Sequence, residues 1–142
     1  MAGIGTLKEK YKALEQRFDS RNEADIDPGC LITFDYEYIG QVSEIVIDTP
    51  EFTAECPWTN LPDFGTLTVI YVPDHRCIEL KSFKYYVMSY SNVGIVQEHA
   101  ANRILRDLVA VCQPMQLTVK LDYNTRGGIH ACVTVNYKKS SD

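Results

Sequence analysis

A chain of 142 residues with 45% hydrophobic and 23% charged content has the size and composition of one ordinary globular domain with a core of its own. Its net charge of −5 argues against a general nucleic-acid binder, which would carry a basic surface, so a small-molecule partner is expected. No apolar run is long enough for a membrane span and no signal-peptide core follows Met1, so no membrane association is expected and the expected location is cytoplasmic.

Residues 6–18 read as an amphipathic helix. Leu7, Tyr11, Leu14 and Phe18 recur on one face, with Lys8, Lys10, Lys12, Glu15 and Arg17 on the rest. Such a stripe packs on its own domain or on a neighbouring subunit. Gly3 and Gly5 make no dinucleotide fingerprint, because Lys8 follows where a glycine is needed and no strand precedes them. A polar connection then reaches a turn at Pro28-Gly29, which divides an N-terminal helix and linker (1–30) from a single domain (31–142).

Residues 31–38 lean toward strand at a sheet margin, and 42–47 alternate as a better strand that leads through Pro50 and Phe52 into a loop from Glu55 to Gly65. Beyond the loop, Leu67, Val69 and Tyr71 alternate with Thr68, Ile70 and Val72 as a sheet strand. Pro73 to Arg76 is turn chemistry, and a short strand spans 77–80. Two helical patterns follow. Phe83, Tyr86, Val87 and Tyr90 share one face of the first, with Lys81 and Lys84 on another. Ser91 to Gly94 breaks the run. Ala101, Ile104, Leu105, Leu108, Val109 and Cys112 then form a clean stripe, stopped by Pro114. The end is a hairpin: Leu117, Val119 and Leu121, then Ile129, Ala131, Val133 and Val135, with the turn at residues 124–128. The order is strand, strand, helix, helix, strand, strand. It predicts an α+β fold, an antiparallel sheet carrying two helices on one face, plus the N-terminal helix.

The loop holds the chemistry. Pro57 and Pro62 restrict its backbone, so Cys56 and Asp63 can keep one relative geometry. A thiolate that attacks an unsaturated carbon leaves a charge in need of a proton, and a neighbouring carboxyl can handle it. A free cysteine is otherwise a small buried hydrophobe, so the loop alone does not decide the matter. Cys30, Cys56, Cys77, Cys112 and Cys132 form no CxxC pair and are odd in number, and His75, His99 and His130 are equally scattered. Reduced thiols and no metal are expected.

The stretch Glu79-Leu80-Lys81-Ser82-Phe83-Lys84-Tyr85-Tyr86 resembles the signature of the NADPH-dependent nitrile reductases of queuosine biosynthesis, the QueF family of 7-cyano-7-deazaguanine reductases, at all eight positions. The Glu55-Cys56-Pro57 loop with Pro62-Asp63-Phe64 resembles the family's catalytic loop. Gln97-Glu98 and Arg126-Gly127-Gly128 fall where the family has its substrate glutamate and an Arg-Gly turn. The likeness spans roughly residues 44–137.

The resemblance implies the tunnelling fold, in homo-oligomeric rings with active sites at subunit boundaries. It implies that Cys56 attacks the nitrile carbon to form a covalent thioimide, that Asp63 handles the proton, and that two NADPH molecules give the primary amine. Ile78, Glu79, Leu80, Gln97 and Glu98 would hold the base, and Lys81, Lys84 and Arg126 the cofactor. A carboxylate at Glu98 suits a guanine-like edge, where a ring N–H and an amino group lie side by side. With an ordinary thiol pKa of about 8.5, Cys56 needs either a thiolate-favouring site or a base, and Asp63 is expected to be that base. One departure stands out: many members have His-Glu where this chain has Gln97-Glu98, and a glutamine cannot carry a proton near neutral pH. Rival readings are an amidinotransferase relative acting on nitrile-bearing tRNA without NADPH, a zinc-dependent cyclohydrolase-type enzyme, and a non-catalytic binding oligomer.

Overall fold

The computed structural model describes residues 3–15 and 21–141. Helix α1 covers Ile4–Glu15, with Ile4 and Leu7 exposed; Arg17 and Phe18, at the end of the predicted helix, lie outside the described residues. Two short 3₁₀ turns, Glu23–Asp25 and Pro28–Cys30, lead to strand β1 (Thr33–Asp35). The main elements follow as β2 (Ile45–Glu55), β3 (Pro62–Val72), β4 (Arg76–Ile78), α2 (Leu80–Met88), α3 (Gln97–Cys112), β5 (Gln116–Tyr123) and β6 (Cys132–Lys138). Among the described residues no helix is long and apolar enough to cross a membrane.

Four strands form one antiparallel sheet in the order β2-β3-β5-β6, and β1 pairs with β4 in a separate ribbon. Strict alternation makes the sheet two-faced. In β3, Asp63, Gly65, Leu67, Val69 and Tyr71 point inward and are buried, while Phe64 and Thr66 point out. Leu117, Val119, Leu121 and Tyr123 of β5 continue the inner face. Phe83, Tyr86 and Val87 of α2 and Ala101, Ile104 and Leu108 of α3 cover it. This is the architecture that the order of sequence patterns predicts.

Three boundaries differ from the periodicity. Strand β2 does not stop at Ile47 but runs to Glu55, because it absorbs Pro50 in a bulge: Thr49 pairs with Leu67, yet Phe52 pairs with Gly65. The one extra residue lets Pro50, which has no N–H to donate, sit on an edge strand without breaking the ladder. Asp63 is not on the loop; it is the second residue of β3, opposite Ala54. Leu80 belongs to a helix and not to a strand, since Glu79 caps α2 by accepting the Lys81 and Ser82 N–H groups at 2.8 and 2.7 Å.

Gly65 of β3 lies opposite Tyr123 of β5, against the β5 backbone. A Cβ there would lie 2.8 Å from the Asp122 carbonyl oxygen and 3.1 Å from Tyr123 Cα, both backbone atoms. Gly65→Ala is therefore expected to lower stability by about 1–3 kcal/mol through overpacking. Gly94→Ala, whose added carbon meets nothing nearer than 3.8 Å, should change it far less. Urea midpoints of the two variants check this; equal midpoints would show that the strands part without cost.

Candidate active site

The turn between β2 and β3 is closed by its own backbone. Cys56 N–H donates to the Leu61 carbonyl at 3.0 Å, and Asn60 N–H donates to the Cys56 carbonyl at 2.9 Å. Asn60 takes the left-handed conformation (φ 55°) that the tight return requires and asparagine tolerates. The strand end is fixed from the other side as well. Glu55 N–H donates to Val93 O at 2.8 Å and Ile95 N–H donates to Glu55 O at 3.1 Å, so the residue before Cys56 is tied to the chain entering α3.

That tie brings the predicted catalytic pair and the predicted base-binding pair together. One cavity of about 320 Å³ is lined by Cys56, Trp58, Asp63, Gln97, Glu98 and Arg126, among others. Asp63 is buried, with its Oδ1 2.7 Å from a guanidinium nitrogen of Arg126. Glu98 is exposed in the first turn of α3, where the positive end of the helix dipole favours a carboxylate. Tyr123 is buried below; its hydroxyl donates to the Gln97 carbonyl at 3.2 Å. Burial, with the Asp63 and Glu98 charges beside it, pushes the Tyr123 phenol far up, so it stays a neutral donor.

The Cys56 thiol is brought down to about 7. A hydrogen bond from the Thr59 side chain contributes most; the Trp58 and Thr59 backbone N–H groups and the Arg126 side chain add to it, against a smaller opposing effect of burial. A substantial thiolate fraction thus exists at neutral pH, the state a nucleophile needs. By contrast Cys77 and Cys112 lie buried with their thiols pushed up, chiefly by desolvation, as structural cysteines are.

The remaining predicted residues do not line this cavity. Ile78 is buried in the core. Both carboxylate oxygens of Glu79 cap α2, and those N–H groups hold its carboxyl below the usual range. Leu80, Lys81 and Lys84 are exposed along α2, with Leu80 and Lys84 lining a groove against β2. Among the described residues no group of three or more His, Cys, Asp or Glu side chains is placed to hold a metal ion.

The model of a family described as QueF-like protein matches residues 62–142. A protein from Chlorobaculum tepidum named NADPH-dependent 7-cyano-7-deazaguanine reductase is 56% identical over 109 residues, covering 77% of this chain and 93% of its own. The chain belongs to the QueF-like family. A protein of the same name from Thermoanaerobacter pseudethanolicus is 44% identical over 133 residues, covering 94% of this chain and 98% of its own. The crystal structure of the archaeosine synthase QueF-Like in the apo form matches with a TM-score of 0.64 at 22% identity, over 69% of this chain and 96% of that one. At that identity the likeness speaks for the fold, and the tunnelling fold expected from the sequence is the fold of this QueF-like chain.

Several residues at this QueF-like site escape sequence reasoning. Thr59 stands three residues after Cys56 and its side chain reaches back to the thiol, a turn geometry that the two flanking prolines hint at but do not specify. Tyr123 ends an ordinary strand. Arg126, expected at the cofactor, also meets Asp63. Alkylation of Cys56 should follow its thiolate: a pKa lowered to about 7 means the rate climbs through pH 7 and levels off above it. Thr59→Val removes the leading hydrogen bond and should shift that profile upward. Peptide-resolved iodoacetamide labelling across pH checks both, and coincident profiles would remove Thr59 from this role.

Proposed function

We propose that this chain reduces the nitrile of 7-cyano-7-deazaguanine to the primary amine with NADPH, through a covalent thioimide on Cys56. The observation that carries the reading is a thiol poised near neutrality in one small cavity with Asp63 and Glu98, in a chain 56% identical to a protein bearing that reductase name.

Cys56 Sγ bonds to the nitrile carbon, one π bond of the C≡N group opens, and the nitrogen takes a proton. Asp63 relays that proton, so the hydrogen surrendered by the thiol is the one gained by nitrogen. Converting the thioimide to the aminomethyl group takes two hydrides and further protons and breaks the C–S bond, which returns the Cys56 thiolate; NADPH, when bound, would supply the hydrides. Glu98 accepts the paired N–H groups of the base, with Gln97 beside it. The exposed face of α2, with Lys81 and Lys84 and the turn at Glu79-Leu80, fits an anionic cofactor and the far side of the base. In this reading a neighbouring copy presents that surface to the Cys56 cavity. The exposed Leu80, Tyr85 and Met88 and the edge strands β2 and β6, which the sheet leaves without an outer partner among the described residues, support a ring-type homo-oligomer.

Mass spectrometry of the protein mixed with the nitrile base alone should show a gain equal to the whole base, because addition expels nothing. Cys56→Ala should lose it. Adding NADPH should discharge the adduct while the nicotinamide absorbance falls by two equivalents per nitrile. Asp63→Asn should keep base binding and lose about 10²–10⁴-fold in turnover. An adduct that persists with no NADPH consumed would overturn the reductase reading in favour of amidinotransferase-like chemistry.

A further inference from the structure

The cavity carries an imbalance of charge. Its lining brings Asp63 from β3, Glu98 from α3 and the ionisable Cys56 from the β2–β3 turn into about 320 Å³, and the lining supplies one cationic side chain, Arg126. Tyr123, the next titratable group inward, is neutral, and Glu55, the buried carboxyl at the end of β2, is itself partnered. Arg126 sits on the turn between β5 and β6, where Gly127 and Gly128 both take left-handed backbone conformations (φ 59° and 77°). Arg126 N–H donates to the Ile129 carbonyl at 3.0 Å and Ile129 N–H donates back at 3.1 Å, which holds the arginine at the base of a tight loop facing the cavity. Its guanidinium is half-exposed but ends 2.7 Å from the buried carboxylate of Asp63.

We propose that Arg126 is the counter-ion that allows the Cys56 thiolate and the Asp63 carboxylate to stand in one cavity, a positioning residue that sets nucleophile reactivity in addition to any part it takes in holding a phosphate. Two anions in one small cavity oppose one another, and a neighbouring carboxylate disfavours the thiolate. A guanidinium bonded to the carboxylate cancels most of that repulsion and leaves N–H groups for the sulfur. A lysine could supply the charge but not the fork that meets two acceptors at once. The inference deepens the nitrile-reductase reading and rests on it for its catalytic meaning, though the charge relation itself does not depend on which electrophile the thiol attacks.

The test is the pH profile of Cys56 alkylation by iodoacetamide, read on the Cys56 peptide so that Cys30 and Cys132 do not interfere, with circular dichroism and thermal midpoints to confirm folding. Arg126→Ala should raise the half-maximal pH by about one unit, a roughly tenfold loss of thiolate at pH 6. Arg126→Lys should recover part of the shift. Adding Asp63→Asn to Arg126→Ala should reverse most of the shift, because the charge that Arg126 offsets is gone and only its direct bond to the sulfur stays lost. A purely structural or phosphate-binding arginine would leave the profile in place and alter only the NADPH KM, and that result overturns the proposal. So would an upward shift that Asp63→Asn does not reverse. If the profiles behave as stated while the wild-type protein forms no adduct with the nitrile base, the counter-ion role stands and the reductase reading fails.

Discussion

Two backbone hydrogen bonds at Glu55 hold the site together. They join the end of β2 to Val93 and Ile95, on the short extended stretch between the two helices. Without them the Cys56 turn would be one more hairpin end, tethered only along its strands. With them, the residue before Cys56 and the residue that precedes the N-cap of α3 have a shared reference, and Cys56, Gln97 and Glu98 fall around one cavity. Backbone bonds suit this purpose because they do not depend on side-chain identity and, being buried, are costly to leave unmade.

The second constraint is parity. A strand places successive side chains on opposite faces, so a one-residue change of register exchanges inside for outside. In β2 the inward residues are Ile45, Ile47 and Thr49 before the bulge, and Phe52 and Ala54 after it. The extra residue at Pro50-Glu51 thus switches the inward set from odd to even positions just ahead of Cys56. Across the ladder Asp63 is paired with Ala54 and shares the helix-covered side. A β2 strand that kept its original parity would deliver the thiol and the carboxylate to opposite faces of the sheet. The sequence offers Pro50 as a sign of irregularity, but a proline in an apparent strand reads equally well as a strand end. That is why the alternation up to Ile47 was legible while the continuation to Glu55 was not.

What else was legible follows the same division between local pattern and tertiary contact. The stripes of α2 and α3, the closing hairpin and the order of elements are written in periodicity, and the structure repeats them. The convergence of Cys56, Asp63, Gln97 and Glu98 came from motif likeness, because Gln97 stands 41 positions after Cys56 and no spacing rule relates them. Thr59, Tyr123 and the Arg126–Asp63 pair were not legible, since each acts through a turn or an end-of-strand position whose direction only packing decides. The eight-residue signature illustrates the limit of motif reasoning. Its first and fourth residues have structural tasks: Glu79 caps α2, while the Ser82 hydroxyl accepts the Ile32 N–H at 2.9 Å and donates to the Glu79 carbonyl at 2.8 Å. Part of a specific sequence signature is thus devoted to building the helix start that displays Leu80, Lys81 and Lys84.

The state of the thiol changes how the proton must be handled. With an ordinary cysteine, the site would need a base before attack and an acid after it, and the sequence suggested that Asp63 serve first as base. In the folded protein the Thr59 hydrogen bond, the turn N–H groups and Arg126 already bring Cys56 to about 7, so a large part of the thiol is ionised at neutral pH and less is asked of a base. In the proposed reaction Asp63, paired with Arg126, passes to the nitrogen the proton that the remaining thiol surrenders. Gln97 then ceases to be an anomaly. In the proposed reaction a glutamine at that position can orient the base through its amide and needs no ionisable ring, because the turn that carries the sulfur supplies much of the activation. On this account Trp58 and Thr59, two and three residues after Cys56, do for the thiol what a separate base would otherwise have to do.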